Sequence, residues 1–319
     1  MFYELSPDSS NKSIYETSSC REVELLNRWL RAIRFKFLTA TLIASAIGIS
    51  YAYMRYSLFD LDFALLTLAG VFSLHASIDL LNDYWDYKRG IDKTNKRTRF
   101  SGGSGVIPEN ILSPFIVYRA AILFLIIGIT IGAYFAILKG PFIAFLLAFA
   151  VLSIIFYSSK IVNFGLAELF VGIKAALIVI GSYYIQTSDF GFPVVYIGVI
   201  IGLLSSSVLL INSFPDYTAD RLGGRRTLVI MFGKRSSCRI FSAMVVAVYV
   251  LIMIGIFINI LNVFSILCFS SILFATRAIN ELNKHYEESE TLLPAMASTI
   301  NYSRITSLAL LFSFIFPMI

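Results

Sequence analysis

Residues 62–86 read DFALLTLAGVFSLHASIDLLNDYWD, an almost unbroken apolar run that ends in a group of carboxylates. About 20 apolar residues in helical conformation cross the roughly 30 Å of hydrocarbon in a bilayer. At 100° per residue, the polar side chains near the end of the run share one arc of about 100°. They are Asp79, Asn82, Asp83 and Asp86. The segment predicts a membrane-spanning helix with an acidic face at one end.

The whole chain shares this apolar character. Of its 319 residues, 57% are hydrophobic and 14% are charged, and the mean hydropathy is +0.78. Ordinary globular domains carry about 45–50% apolar and about 25% charged residues. A soluble domain of this length could not bury so much apolar surface in one core. The composition predicts a polytopic membrane protein and excludes disordered, collagen-like, coiled-coil and disulfide-rich classes.

Nine apolar runs are long enough, or nearly long enough, to cross a bilayer. Their ends are 33–54, 62–84, 114–138, 141–158, 165–186, 193–215, 238–258, 260–276 and 298–318. The runs are continuous rather than alternating, which favours helices over a barrel. We expect an all-α polytopic membrane protein with about nine transmembrane helices. Residues 1–27 are interpreted as a polar cytoplasmic tail, and residues 28–319 as one intramembrane domain.

The basic residues predict the orientation, because Lys and Arg near the ends of spans collect on the cytoplasmic side. With the N-terminus inside, all of the 26 Lys and Arg residues except Arg55, Lys139 and Lys174 lie inside. Nine spans then place the C-terminus outside and both acidic segments on the cytoplasmic side. The net charge of +6 is explained mainly by this asymmetry, and nothing in the chain indicates binding to nucleic acid. Three scattered cysteines predict neither a disulfide framework nor a zinc site.

A second acidic segment ends the sixth run. Asn212, Asp216 and Asp220 are spaced i, i+4, i+8 and drift by only about 80° around a continuous helix. Clustered carboxylates at a membrane boundary repel each other unless a cation lies between them. Pairing with Arg and Lys of the adjoining loops is one explanation. The other is Mg²⁺, which prefers a few carboxylates together with substrate phosphates.

Basic loops that contain glycine follow both acidic segments. The first includes Arg97-Thr-Arg99-Phe-Ser-Gly-Gly-Ser-Gly105, and the second includes Arg221-Leu-Gly-Gly-Arg-Arg-Thr-Leu228. Backbone amides of a glycine-rich loop can approach an anion closely, and Arg presents a planar fork to phosphate oxygens. Two such loops, each after an acidic face, predict a site for a magnesium-bridged diphosphate.

From about residue 28 to its end, the sequence resembles the UbiA-type intramembrane prenyltransferases. The resemblance lies in Asn82-Asp-Tyr-Trp-Asp86 on the second run and Asp216-Tyr-Thr-Ala-Asp220 on the sixth. It implies a nine-helix fold that transfers a polyprenyl group from its diphosphate to an aromatic acceptor. Four stretches resemble the 1,4-dihydroxy-2-naphthoate branch of the family: residues 82–88, 98–107, 181–187 and 226–228. That branch implies prenylation with loss of the ring carboxylate, which forms the menaquinone precursor.

The resemblance also implies roles for individual residues. Asp83 and Asp86 would hold one Mg²⁺ and Asp216 and Asp220 the other, as the catalytic and metal-binding carboxylates. The residues expected to contact diphosphate or to orient the acids are Arg99, Lys160, Arg226, Asn82 and Asn212. Tyr157 would face the developing allyl cation, because a ring face attracts positive charge.

Three further residues are predicted to bind the acceptor: Arg34, His75 and Lys174. For Arg34 an interfacial anchor is the alternative, and for His75 simple helix packing is. Lys174 is a charge in the middle of a span, and such a charge is functional by default. The predicted partners are polyprenyl diphosphate, a small aromatic acceptor and membrane lipid.

Two kinds of alternative stay open at the level of sequence. The same chemistry could act on 4-hydroxybenzoate, a haem or the glycerol phosphate of an ether lipid. A secondary transporter or cation channel would instead use intramembrane acids along an ion path. The acids here lie at one membrane face and differ in spacing between the two segments, which favours the enzyme.

Overall fold

The computed structural model describes residues 23–90, 103–156, 165–222 and 224–316. Within these ranges the secondary structure is helical and contains no strand. The α-helices are α1 (23–32), α2 (Phe35–Tyr56), α3 (Leu61–Lys88), α4 (Pro114–Lys139), α5 (Pro141–Phe156), α6 (Ala167–Thr187), α7 (Phe192–Asn212), α8 (Tyr217–Leu222), α9 (Leu228–Phe232), α10 (Lys234–Phe257), α11 (Ile272–His285) and α12 (Leu293–Ile315). The 3₁₀ segments Val263–Ser271 and Ser289–Leu292 precede α11 and α12.

The helices confirm an all-α integral membrane protein. In the described part of the chain, seven helical segments are long and apolar enough to cross a bilayer: α2, α3, α4, α6, α7, α10 and the segment Val263–His285. α5 is apolar but has only 16 residues, and α12, with 23 residues, is not one of the seven. Each of the nine predicted runs therefore contains a helix. The count of nine spans, the orientation and the boundary at residue 27 stay predictions.

Several predicted ends differ from the helices that form. The eighth run was expected at 260–276, but the helical segment is Val263–His285, so it carries more polar residues than the apolar window included. The helix of the ninth run, α12, begins at Leu293 instead of residue 298. It has a proline in its first turn, where helices tolerate proline well. α4 begins in the same manner at Pro114, where the Ser113 hydroxyl accepts a hydrogen bond from the Ile116 N–H (3.3 Å).

Glycines let three helices approach backbone to backbone. A Cβ on Gly202 of α7 would lie 2.7 Å from the carbonyl oxygen of Gly172 in α6, and a Cβ on Gly48 of α2 would lie 2.2 Å from that of Val179. Small residues at such crossings permit close packing of helices in lipid. α2, α6 and α7 thus form a tight layer, and most of their buried hydrophobic residues belong to the main core cluster.

Candidate active site

The first acidic segment occupies the last two and a half turns of α3, and its central residue is Asp83. This carboxylate is buried and accepts hydrogen bonds from the Arg34 guanidinium and the Ser104 hydroxyl. Glycines 103 and 105 both adopt positive φ, of 80° and 79°, a conformation that costs glycine little. They turn the loop so that Ser104 reaches back to the helix.

Arg34 lies in the short break between α1 and α2, with a left-handed φ of 46°. Burial alone would lower the pKa of its guanidinium, but the carboxylates of Asp83 and Asp79 raise that pKa above its ordinary value. α1 also supplies Arg31, whose Nε donates to the carbonyl oxygen of Ser104 at 2.8 Å. The α1–α2 junction therefore holds both Asp83 and the loop that covers it.

Arg225 joins the two acidic segments. Its Nη2 lies 2.7 and 2.8 Å from the two carboxylate oxygens of Asp86, and its Nη1 lies 3.2 Å from Oδ1 of Asp220. The backbone N–H of Arg225 donates to the carbonyl oxygen of Asp220 at 2.9 Å, which fixes the loop beside α8. The two motifs, more than 130 residues apart in the sequence, therefore share one cation.

The charges of this bridge alter the protonation of its members. Burial raises the pKa of the Asp220 carboxyl, and Arg225 opposes that rise. Burial would lower the pKa of Arg225, but Asp86 and Asp220 raise it above its ordinary value. The guanidinium stays charged and provides the positive charge that the neighbouring carboxylates need.

The second acidic segment is not the continuous helical face that its spacing predicts. α7 ends at Asn212, residues 213–216 form a turn, and α8 begins at Tyr217. Pro215 explains the break, because proline has no N–H for the helical hydrogen bond and its ring clashes with the carbonyl four residues earlier. Asp216 is half-buried on the turn and Asp220 is buried on α8.

Glu168 holds this segment in place through hydrogen bonds. It is buried in the first turn of α6, and its Oε1 accepts hydrogen bonds from the Leu228 N–H (3.1 Å) and the Ser213 hydroxyl (3.4 Å). Ser213 follows the end of α7, and Leu228 is the first residue of α9. One carboxylate thus fixes both ends of the stretch that carries Asp216, Asp220 and Arg225.

The donor set of this region fits a hard divalent cation. Carboxylate oxygens come from both segments, and Oδ1 of Asn212 is buried with no hydrogen-bond partner among the described residues. No group of three or more His, Cys, Asp or Glu side chains converges in the part of the chain that the structure describes. Mg²⁺ suits such a set, because it is usually held by one or two carboxylates together with substrate phosphates and water.

An apolar cavity of about 160 Å³ lies between α2, α3, α4, α5 and α6. Two glycines of α4 on its wall let neighbouring side chains pack closely against the helix. A Cβ on Gly128 would lie 2.6 Å from the Leu74 side chain, and one on Gly132 would lie 2.6 Å from that of Leu147. The polar residues of its wall are Thr41, Thr67, His75, Ser153, Lys174 and Ser182. Ile78 is the residue of the cavity wall nearest to Asp83 along α3, five residues before it, so the cavity lies about one and a half helical turns deeper in the bundle than Asp83.

The predicted site residues separate into groups. Asp86 and Asp220 share Arg225, Asp83 is paired with Arg34, and Asn82 is half-buried on α3. Arg34 contacts Asp83, while His75 and Lys174 line the cavity. Arg226 is exposed. Three residues lie outside the described ranges: Arg99, Tyr157 and Lys160.

Sequence reasoning missed three residues that hold this site: Ser104, Glu168 and Arg225. Arg225 stands in the basic loop already expected to contact an anion, but the adjacent Arg226 was chosen on resemblance. Ser104 belongs to the predicted Gly/Ser segment, and its contact is with Asp83. For Glu168 the only signal was its presence as an acid at the edge of an apolar run.

The sequence and the fold are both similar to those of known proteins. The model of the UbiA prenyltransferase family matches residues 41–299. The 1,4-dihydroxy-2-naphthoate octaprenyltransferases of Bacillus subtilis and Escherichia coli are 28% and 26% identical, over 67% and 69% of this chain and 68% and 73% of their own lengths. A solved UbiA homolog from Archaeoglobus fulgidus, bound to DMAPP and Mg²⁺, gives a TM-score of 0.66 at 14% identity. That alignment covers 91% of this chain and 100% of the other, and it shows a shared fold.

Proposed function

The chain belongs to the UbiA prenyltransferase family and is a prenyltransferase, and we propose that its acceptor is 1,4-dihydroxy-2-naphthoate. The products would be the prenylated ring, CO₂ from the lost carboxylate, and diphosphate. The observation that carries the proposed prenyl transfer is the meeting of two acidic segments, through Arg225, close to an apolar cavity. The names of the Bacillus subtilis and Escherichia coli relatives support the choice of acceptor.

The acidic segments would bind the diphosphate of the prenyl donor with Mg²⁺. Asp83, Asp86, Asp216 and Asp220 are the proposed ligands, with Asn82 and Asn212 as neutral ligands or orienting groups. When bound, Mg²⁺ neutralises the charge that develops on the departing diphosphate. Arg225 already lies between the segments, so its guanidinium is placed to contact a phosphate oxygen.

Other cations would complete the diphosphate site. Arg99, Lys160 and Arg226 stay predicted phosphate contacts, and Arg34 holds Asp83 in place. A carboxylate pinned by Arg34 and Ser104 does not need to reorganise when the substrate arrives. Such preorganised charge is usually a large contribution to catalysis.

The apolar cavity would hold the first part of the prenyl chain and the acceptor ring. As the carbon–oxygen bond to diphosphate breaks, the allylic carbon gains positive charge and the electron-rich ring attacks it. The protein's task is to position the two reactants and to exclude water from the cation. The cavity wall, formed by five helices, is suited to that task. Tyr157 is the residue predicted to face the cation.

A test compares two acceptors with the purified protein in detergent. The assay contains Mg²⁺ and geranylgeranyl diphosphate, with 1,4-dihydroxy-2-naphthoate or 4-hydroxybenzoate, and mass spectrometry follows the product and diphosphate. We expect a prenylated naphthalene that has lost its carboxylate. Transfer to 4-hydroxybenzoate alone would contradict the proposed acceptor and keep the family chemistry. Release of diphosphate with neither acceptor prenylated would point to another acceptor.

A further inference from the structure

Lys174 is a cation in the middle of a membrane-spanning helix, and it lines the apolar cavity. Among the residues that the structure describes, its side chain forms neither a salt bridge nor a hydrogen bond. An intramembrane charge is costly and is almost always matched by a partner or by function. The ammonium of Lys174 therefore has the free donors that an anionic ligand requires.

Asp79 is the carboxylate whose charge acts on Lys174, but it is not a dedicated counter-ion. Oδ2 of Asp79 lies 3.4 Å from Nε2 of His75, and the negative charge of Asp79 also acts on Arg34. Nδ1 of His75 in turn lies 2.5 Å from the hydroxyl of Thr41. Oδ2 of Asp79 nevertheless has no hydrogen-bond partner among the described residues. Asp79 therefore faces several basic groups without a hydrogen bond to Lys174, and it balances the ammonium only at a distance.

The position of Lys174 separates it from the diphosphate. It shares the cavity wall with His75, which lies eight residues before Asp83, about 12 Å along α3 at 1.5 Å per residue. The diphosphate charge would be met at Asp83 and beyond, by the metal ions and Arg225. The free donors of Lys174 leave room for a second anion at this depth, beside the distant charge of Asp79. An apolar cavity favours an anion that is carried by a flat hydrophobic ring.

From this arrangement we propose that Lys174 binds the anionic substituent of the acceptor and selects an aromatic acid over a neutral hydroquinone. The inference rests on the proposed function and deepens it. The ammonium donates hydrogen bonds to the carboxylate, and the cavity wall packs against the ring. Asp79 stabilises the ammonium when no acceptor is present, so the site does not carry an isolated charge before the acceptor enters.

The test measures selectivity in the full-length protein with two acceptors, 1,4-dihydroxy-2-naphthoate and 1,4-dihydroxynaphthalene, which lacks the carboxylate. Lys174→Met should lower kcat/KM for the acid at least tenfold through KM, and change kcat/KM for the neutral ring less than twofold. The KM for geranylgeranyl diphosphate should stay the same. Lys174→Arg, which keeps the charge, should restore most of the preference for the acid.

Lys139→Met provides the matched control, because this lysine lies at the far end of α4, with its Nζ 3.2 Å from the Ser188 hydroxyl. It should leave both acceptors unaffected. Equal losses for both acceptors in Lys174→Met would overturn the inference and indicate a packing role. If the unmodified protein prenylates neither ring, the proposed function itself fails, and that result is distinct from lost selectivity.

Binding gives a readout besides turnover. The unmodified protein should gain thermal stability when 1-hydroxy-2-naphthoate, an acid analogue, is added, and Lys174→Met should lose most of that gain. Asp79→Asn removes the distant counter-charge, so it should lower the stability of the free protein and increase the shift caused by the acid. An unchanged shift in Lys174→Met would contradict the proposal.

Discussion

The two acidic segments carry their carboxylates on different kinds of secondary structure. Asp79, Asp83 and Asp86 lie on one unbroken helix, so their relative positions are fixed by α3 itself. Asp216 and Asp220 lie on a turn and on the six-residue helix α8, and Glu168 and Arg225 hold that stretch from outside. Rigid geometry comes from the helix in the first segment and from tertiary contacts in the second.

The first segment contacts two arginines, and the second shares one of them. Asp83 is paired with Arg34 from the α1–α2 junction, and this contact lies within the first half of the chain. Asp86 and Asp220 share Arg225, which comes from the second segment's own loop. Pairing with loop arginines and binding of Mg²⁺ were alternatives at the level of sequence. In the fold the arginines hold the acids in place, and the carboxylate oxygens still suit a metal.

The largest expected effect comes from removing one carboxylate in each segment. Asp83→Asn and Asp216→Asn should each lower prenyl transfer at least about 1,000-fold, or about 4 kcal/mol of transition-state stabilisation. Asp83→Asn should also destabilise the fold by about 3 kcal/mol, because it leaves the largely buried Arg34 without its carboxylate. Asp216 is only half-buried, so its variant should unfold close to the temperature of the unmodified protein.

Mass spectrometry of the product and thermal unfolding in detergent measure the two effects separately. Near-normal turnover of either variant with Mg²⁺ present would contradict the assignment of metal ligands. Equal losses of stability would remove the difference between the two segments that their contacts predict.

The next effect tests the bridge itself. Arg225→Gln should lower kcat/KM about 30-fold, or about 2 kcal/mol, because Asp86 and Asp220 lose their shared cation. Arg225→Lys should recover little, since an ammonium is a point charge and cannot reproduce the fork of a guanidinium. The matched control is Arg226→Gln, at the exposed neighbouring position, for which we expect a change of less than threefold. A larger effect at Arg226 would favour the residue chosen from the sequence.

Much of the fold could be predicted from the sequence, because continuous apolar runs leave few structures that satisfy the backbone in lipid. The all-α membrane class and a helix in each predicted run are confirmed. The first acidic face was also accessible, since Asp79 to Asp86 follow the helical period without an interruption. Family membership followed from the two motifs.

The second segment shows where this reasoning stopped. The i, i+4, i+8 spacing of Asn212, Asp216 and Asp220 assumed one helix, although Pro215 stood between them as a signal against it. The contact of Arg225 with Asp86 joins residues 139 positions apart, and no local pattern encodes such a distance. The same holds for Ser104 and Glu168, whose partners are set by how the helices pack.

A moderate effect should follow from making the second segment resemble the first. Pro215→Ala removes the ring that ends α7, so the helix should extend toward Asp216 and rotate its carboxylate. We expect kcat/KM to fall about tenfold, or about 1.4 kcal/mol. Hydrogen exchange should show new protection of the backbone at residues 213–217. Unchanged exchange would mean that the contacts of Glu168 with Ser213 and Leu228, rather than Pro215, maintain the turn.

The smallest effect separates fine positioning from overall pairing in the first segment. Ser104→Ala removes the hydroxyl that donates to Asp83 while Arg34 stays in place. Loss of a hydrogen bond to a charged group costs about 1.5 kcal/mol at the low end of the usual range. We expect no more than this here, because Arg34 still stabilises the carboxylate. We expect kcat/KM to fall about fivefold, with the larger part in the apparent affinity for Mg²⁺ and the prenyl diphosphate.

Ser113→Ala is the matched control for this change. Its hydroxyl accepts a hydrogen bond from the Ile116 N–H at the start of α4, and its loss should cost about 1 kcal/mol of stability. The control should lower the unfolding temperature and leave the affinity for Mg²⁺ unaffected, whereas Ser104→Ala should alter the affinity more than the stability. If both variants lose only stability, the loop after α3 serves the fold alone, and rigid positioning of Asp83 depends on α3 and Arg34 without help from Ser104.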